Sequence, residues 1–193
     1  MQKLKRQYRR DYVGEDIVTV RTYENSDWHD QKEFIPNQIV NQQISKQAMI
    51  IGNGTSRRDF DLELLERHSA GLRGIKKLQT YGCNALYRDF APNFLFATGP
   101  DIVREIAESD YCNEHVVYAN KWAVAEYPQK FYLIPEDPAW NSGSLATYVA
   151  CFDGHEKIFL LGFDGNDNQN YNYNIYAGSP GYHSNGVEVT ENF

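Results

Sequence analysis

The chain has 193 residues, of which 41% are hydrophobic, enough for one domain with a full core. Its formal net charge of −7 argues against broad contact with a phosphate backbone, so nucleic acid is not expected as a partner. The sequence has neither an apolar run of membrane-spanning length nor a signal-peptide pattern, which favours a cytoplasmic protein with no membrane span.

The three cysteines, Cys83, Cys112 and Cys151, are widely spaced and form no Cys-x-x-Cys pair. A zinc knuckle or a thioredoxin-type site is therefore not expected, and no metal site is predicted. An odd number of scattered cysteines is typical of a reducing compartment, and we expect buried free thiols.

The first 47 residues are polar and contain few aliphatic side chains. Alternation over residues 16–23 predicts a strand, and a turn at 25–27 followed by residues 32–35 predicts a returning strand. We therefore expect residues 1–47 to form an N-terminal hairpin or arm on the main body. A basic cluster at the start is interpreted as a solvated tail. It consists of Lys3, Lys5, Arg6, Arg9 and Arg10.

Residues 48–193 alternate apolar runs with helical stretches. This order predicts an α/β domain, with a Rossmann-like, mostly parallel sheet flanked by helices. Asp101 and Ser142 are the expected N-caps of the second and third helices. From about residue 166 the chain is polar and aromatic and is expected to form a lid. Strands are predicted at 48–51, 77–81, 93–97, 115–119, 131–134 and 157–161, and helices at 61–68, 101–108 and 142–152.

Small and polar residues lie where several of these elements end or begin. Gly52–Ser56 follows the first strand, Asn84 the second and Asp164 the last, while Ser142–Gly143 opens the third helix. Each also fits a plain reading as a tight turn, an N-cap or an Asp-Gly turn. Gly52–Ser56 lacks the third glycine of a dinucleotide fingerprint and the lysine of a Walker loop.

Together these residues predict a nucleotide site, because ligands of open α/β sheets bind at the carboxyl ends of the strands. The predicted nucleotide-binding residues are Gly52, Asn53, Gly54, Ser56, Asn84, Ser142, Gly143 and Asp164.

His183 is the candidate for proton transfer, since histidine titrates near neutral pH. A lone surface histidine is more often inert, so this assignment depends on the site around it. The other four histidines belong to no recognisable constellation and are interpreted as structural: His29, His68, His115 and His155.

In chain order these motifs resemble those of the bacterial sialyltransferases that modify lipooligosaccharide. The resemblance extends to the related 6-hydroxymethylpterin diphosphokinase-like domains of unknown function. The family's Gly-Asn-Gly-Pro-Ser matches Gly52–Ser56, and its Arg-Cys-Asn matches Gly82–Asn84. Its Ser-Gly, Gly-Ile-Asp and Gly-His-Ser match residues 142–143, 162–164 and 182–184.

The resemblance covers roughly residues 48–185 and implies a glycosyltransferase-like enzyme. Its substrate would be a nucleotide-sugar donor, such as a cytidine monophosphate sugar, and its acceptor a glycan. Asn53, Ser56 and Asn84 would contact the nucleotide, and Ser142 and Gly143 would lie near the donor's anionic groups.

The resemblance also implies a catalytic base and a contact to the leaving phosphate. His183 would be the general base. In the family, a tyrosine two residues after the aspartate helps to stabilise the leaving phosphate, and here that position is Asn166, a departure from the pattern. A second family tyrosine would be matched by Tyr171 or Tyr173, which are the candidate contacts to the leaving phosphate.

Two alternatives stay open on the sequence. One is pyrophosphoryl transfer from ATP to a pterin-like alcohol, which needs Mg²⁺ and would use Asp164 as a ligand. The other is a non-catalytic nucleotide-binding module, which Asn166, the short lid and the chain end at Phe193 favour.

Overall fold

Three N-terminal strands form an antiparallel sheet in the order β1–β2–β3: β1 (Lys3–Arg10), β2 (Asp16–Glu24) and β3 (Asp27–Phe34). The structure, a computed structural model, describes residues 3–10, 16–34, 45–69, 78–134, 140–164, 171–172, 174–182 and 187–188. β2 and β3 are joined at Asn25 and Ser26, whose φ angles of 51° and 68° suit a tight two-residue hairpin.

The expected hairpin is therefore present, but the interpretation of the basic cluster as a tail is wrong. The cluster lies in β1, which pairs with β2 from Lys3 opposite Tyr23 to Arg10 opposite Asp16. β2 is rich in β-branched residues, which favour strands, and both of its edges are paired.

The main sheet has six strands in the order β8–β7–β6–β5–β4–β9, and every neighbouring pair is parallel. This confirms the predicted α/β class. The strands are β4 (Gln47–Ile51), β5 (Gln79–Cys83), β6 (Phe94–Ala97), β7 (Val116–Ala119), β8 (Tyr132–Leu133) and β9 (Lys157–Leu161).

The order in which the chain adds strands to the sheet reverses at β4. From β4 the chain adds β5 to β8 on one side, and it then crosses back to place β9 on the other side. In open α/β sheets the crevice at such a reversal is where ligands bind. The carboxyl ends of β4 and β9 therefore mark the expected site.

Helices cover both faces of the sheet: α1 (Glu63–Ser69), α2 (Pro100–Glu108), α3 (Tyr111–Glu114), α4 (Lys121–Glu126) and α5 (Ser142–Phe152). On one face, Leu65, Ile106 and Val124 from α1, α2 and α4 join one buried core. On the other face, Leu145 and Val149 of α5 join a second core. Short 3₁₀ turns at Thr55–Arg57 and Asn84–Arg88 follow β4 and β5.

The predicted strands and helices of the main sheet lie within about two residues of those observed, but both predicted N-caps are wrong. Helix α2 is capped by Gly99, because Pro100 takes the first helical position that proline favours. Helix α5 is capped by Asn141, whose side chain accepts a hydrogen bond from the Ser144 amide at 2.9 Å.

All three cysteines are free thiols, as expected, but only Cys83 is buried, while Cys112 is partly buried and Cys151 is exposed. Within the described ranges, no helix is long and apolar enough to cross a lipid bilayer.

The C-terminal part returns to the carboxyl edge of the main sheet. β10 (Tyr171–Asn172) pairs antiparallel with β11 (Val187–Glu188). Between them, Asn174 forms an antiparallel bridge with Gly54. The described part of the predicted lid is thus attached to the loop that follows β4.

Candidate functional site

Side chains from three elements meet at the carboxyl edge of the sheet. Asn53, after β4, donates its Nδ2 to the carbonyl oxygen of Cys83 at 2.9 Å. Asn84, after β5, donates its Nδ2 to Ser142 Oγ at the start of α5, 2.8 Å away. The structure thus brings Asn53, Asn84 and Ser142 together, although they are far apart in sequence.

Asn84 is placed by its backbone as well as its side chain. Its φ of 47° lies in the left-handed region, which asparagine tolerates better than most residues. Its Oδ1 accepts a hydrogen bond from the Thr98 amide at 3.1 Å. Both ends of the side-chain amide are therefore engaged, and Asn84 fixes the position of Ser142.

The glycine loop after β4 packs tightly against β9. The Gly52 and Gly54 amides donate to the carbonyl oxygens of Leu161 and Gly162 at 2.8 and 2.9 Å, which extends the pairing of the two strands. A Cβ on Gly54 would lie 2.5 Å from the Asp164 carboxylate. These glycines permit close backbone approach, and their amides are already occupied.

Asp164 is engaged by the same loop. Its carboxylate accepts hydrogen bonds from the Thr55 hydroxyl at 3.0 Å, from the Ser56 amide at 3.1 Å and from the Ser56 hydroxyl. Burial by itself would raise the pKa of Asp164, but the hydrogen bonds from Ser56 and Thr55 outweigh it and lower the pKa. Ser56 and Asp164, both candidate ligand contacts, therefore bind each other.

The start of α5 adjoins these loops. Ser142 is buried, and Gly143 lies so close to Phe163 that a Cβ there would be 2.9 Å from the ring. The first intrahelical bond of α5 comes from the Leu145 amide, so the Ser142 and Gly143 amides precede the hydrogen-bonded ladder. Such amides and the helix dipole favour an anion.

Cys83 lies under the site and is 3% exposed. Burial raises the pKa of its thiol to about 12, against the opposing effects of the Ser142 hydroxyl and the Arg57 charge. Cys83 is consequently protonated near neutral pH and supports the site as a packed side chain rather than as a nucleophile.

A segment that the sequence analysis interpreted only as a lid holds the site together. In residues 174–182, the Ile175 amide donates to the Asn53 carbonyl oxygen at 2.9 Å. Arg57, which is 4% exposed, donates to the Gly52 carbonyl oxygen at 2.7 Å and to Tyr176 Oη at 3.0 Å. Tyr176 Oη in turn donates to Asp89 at 2.5 Å.

Arg88 anchors the same segment further along. It donates to Ser179 Oγ and to the Pro180 carbonyl oxygen, both at 2.9 Å, and it pairs with Glu105. No periodic pattern in the sequence marks Arg57 or Arg88 as contacts of the site. Their nearness to the two strand-end loops was the only available indication.

Tyr182 is a further residue that sequence analysis missed as a contact. Its hydroxyl oxygen accepts from the Ala85 amide at 3.3 Å and from Asn53 Nδ2 at 3.5 Å. It therefore reaches the centre of the site from the end of the returning segment.

For three of the sequence candidates, His183, Tyr171 and Tyr173, no side chain is described. His183 and Tyr173 lie outside the described residues, and of Tyr171 only the backbone in β10 is described. Two of the histidines interpreted as structural pack against tyrosines: His155 contacts Tyr81 Oη at 2.9 Å, and His115 stacks on Tyr111. In the described part of the chain, no cluster of three or more His, Cys, Asp or Glu side chains is arranged to hold a metal ion.

Comparison with known proteins finds no matching family model, and no curated protein or solved structure that is significantly similar. A function for this chain must therefore be inferred from the residues of the site.

Proposed function

We propose that this chain binds a nucleotide at the carboxyl edge of its sheet and acts as a glycosyltransferase-like enzyme. The donor in this proposal is a cytidine monophosphate sugar. The observation that supports nucleotide binding is Asn53 Oδ1, a buried atom at the reversal point of the sheet with no hydrogen-bond partner among the described residues. Buried acceptors are nearly always satisfied, so an unsatisfied one in a ligand crevice indicates a ligand group.

In this proposal the candidate residues fall into two groups. Asn53 and the N-terminus of α5 at Gly143 would contact the ligand. Ser56 and Asp164 tie the loop together, and Asn84 holds Ser142. The ligand contacts expected of Ser56 and Asp164 therefore become supporting roles in this proposal.

In the proposed reaction the nucleoside lies over Asn53 and the phosphate lies at the N-terminus of α5. His183 takes the proton of the acceptor hydroxyl, whose oxygen attacks the anomeric carbon of the donor sugar. The bond from that carbon to the phosphate oxygen breaks, and cytidine monophosphate leaves. Tyr171 or Tyr173 would contact the leaving phosphate. The roles of these three residues come from the family resemblance.

The test of nucleotide binding is a thermal-shift measurement with cytidine and adenosine mono- and diphosphates, each with and without Mg²⁺. A nucleotide at about 100 times its Kd should stabilise the fold by about 2.7 kcal/mol, or about 5–10 °C in Tm for a domain of this size. We expect cytidine nucleotides to give the larger shift without Mg²⁺. The Asn53→Ala variant should lose most of it, while Asn113→Ala, at an exposed asparagine on α3, should keep it.

The other outcomes are equally informative. A shift by ATP only in the presence of Mg²⁺ would favour pyrophosphoryl transfer to a pterin-like alcohol. The present geometry does not favour that reaction, because the Asp164 carboxylate is already engaged by Thr55 and Ser56. No shift with any nucleotide in a folded sample would overturn the nucleotide site.

Catalysis is tested separately at His183. The His183→Ala variant should bind the nucleotide as the wild type does, with a turnover reduced about 10²–10⁴-fold, the usual effect of losing a general base. Binding without turnover in the wild type would instead indicate a non-catalytic nucleotide-binding module.

A further inference from the structure

Tyr182 places a hydroxyl proton in the site with no acceptor. Its oxygen receives two N–H groups, from Ala85 at 3.3 Å and from Asn53 Nδ2 at 3.5 Å. A phenol oxygen that accepts two hydrogen bonds can still donate one. No described residue accepts that proton.

Asn53 presents the complementary atom. Its Nδ2 donates to the Cys83 carbonyl oxygen at 2.9 Å, and this bond fixes which end of the amide is the oxygen. Oδ1 is then left buried, with no hydrogen-bond partner in the described part of the chain. An unpaired donor on Tyr182 and an unpaired acceptor on Asn53 thus belong to two side chains already in contact.

A hydroxyl group is the ligand group that satisfies both atoms at once, because it accepts one hydrogen bond and donates another. We propose that Asn53 and Tyr182 form a subsite for a ribose hydroxyl of the bound nucleotide. Tyr182 donates to the hydroxyl oxygen, and the hydroxyl donates to Asn53 Oδ1. The proposal rests on the proposed nucleotide site and adds Tyr182 as a residue that determines specificity for ribose over deoxyribose.

Tyr182 is held in place before any ligand binds. Its amide donates to the Ser179 carbonyl oxygen at 3.0 Å, and its ring lies 5.9 Å from that of Tyr176. Arg88 fixes Ser179 and Pro180 at the same time. A group that is already ordered loses little conformational entropy on binding, so its hydrogen bond contributes more fully to affinity.

The experiment is isothermal titration of cytidine monophosphate and of its 2′-deoxy and 3′-deoxy analogues. It compares the wild type with Tyr182→Phe and with Tyr148→Phe, a control at a partly buried tyrosine on α5. We expect the wild type to bind cytidine monophosphate roughly 5- to 30-fold more tightly than at least one deoxy analogue, because that analogue leaves polar groups unpaired. Tyr182→Phe should remove the difference by weakening the ribonucleotide alone, and Tyr148→Phe should preserve it.

Each contrary result has a distinct meaning. Equal wild-type affinity for all three nucleotides would overturn the hydroxyl subsite, with water as the partner of both atoms, and would leave the nucleotide site intact. An equal loss for all three in Tyr182→Phe would give Tyr182 a structural role and overturn its role in specificity. If none of the three bound to the wild type, both the subsite and the proposed function would be wrong. Should Tyr182→Phe fail to fold, the ratios measured on the wild type still decide the subsite.

Discussion

Arg57 Nη2 donates to Tyr176 Oη at 3.0 Å, which joins the loop after β4 to a segment that lies 119 residues later in the chain. The same guanidinium donates through Nε to the Gly52 carbonyl oxygen at 2.7 Å and lies 5.7 Å from the Tyr176 ring centroid. One buried cation thus connects the glycine loop with the segment that covers it.

We predict that Arg57→Leu lowers the free energy of unfolding by about 2–4 kcal/mol, because it leaves the Gly52 carbonyl oxygen without its side-chain donor and removes the hydrogen bond that the Tyr176 hydroxyl oxygen accepts. The measurement is urea unfolding followed by tyrosine fluorescence and circular dichroism. Arg58→Leu, at the exposed neighbouring residue, is the control and should change stability by less than about 0.5 kcal/mol. Similar losses in both variants would show that the buried hydrogen bonds of Arg57 contribute no more to stability than an exposed arginine does.

The second prediction concerns the close approach at Gly54. In Gly54→Ser the new Cβ would meet the Asp164 carboxylate at 2.5 Å and the Gly162 carbonyl oxygen at 2.6 Å, so the β4 and β9 loops must separate. We expect a loss of about 1–3 kcal/mol in thermal or urea unfolding. Gly99→Ser is the control, because a Cβ there meets nothing within 4 Å and serine is a good N-cap. Wild-type stability in Gly54→Ser would show that the two loops separate without a cost in free energy.

Much of the main sheet could be predicted because strands such as β6 are short apolar runs buried on both faces, as Leu95 and Phe96 illustrate. The edge strand β9 is equally apolar in sequence, although Phe159 and Leu160 are exposed. The strand order could not be read in the same way. Placing β9 beside β4 depends on a crossover through α5, and no local pattern encodes which edge the chain returns to. The N-caps were wrong by one or two positions, because neighbouring residues such as Asn141 and Ser142 are both good caps.

The site was only partly predictable, for a different reason. That Asn53, Asn84 and Ser142 lie together could be predicted because strand ends share one edge. The sequence does not show whether the polar groups of the candidate residues are free to bind a ligand. Ser56 and Asp164, for example, bind each other, and this is visible only in the fold. Arg57 and Tyr182 act through contacts between distant segments, which no spacing in the sequence records.

The third prediction is a pH dependence at Asp164. Hydrogen bonds from Ser56 and Thr55 lower its pKa in the folded state despite the opposing effect of burial, so the ionised carboxylate stabilises the fold above its unfolded pKa of about 3.9. That stability is lost as the pH falls through the lowered folded pKa. Relative to Asp164→Asn, the wild type should have the higher Tm at pH 7, by an amount that reflects under about 1 kcal/mol for this partly exposed group.

The measurement is the Tm of both proteins between pH 7 and pH 3. The difference between them should stay constant down to about pH 4 and shrink below it. A difference that does not depend on pH would mean that the substitution acts through steric or amide hydrogen-bond effects and not through the carboxylate charge.

The last prediction separates the two ways in which Asn84 supports the site. Its backbone adopts a φ of 47°, and its side chain joins the Thr98 amide to the Ser142 hydroxyl. Asn84→Gly accepts that φ without strain but loses both side-chain bonds, whereas Asn84→Ala loses the bonds and strains the backbone. We expect Asn84→Ala to be less stable than Asn84→Gly by about 1 kcal/mol in urea unfolding, because a positive φ is unfavourable for a residue with a Cβ.

Both variants should weaken nucleotide binding by a similar factor, because both release Ser142 at the start of α5. If Asn84→Gly bound nucleotide as the wild type does, the bond to Ser142 would be irrelevant to the site, and only the backbone conformation of residue 84 would matter.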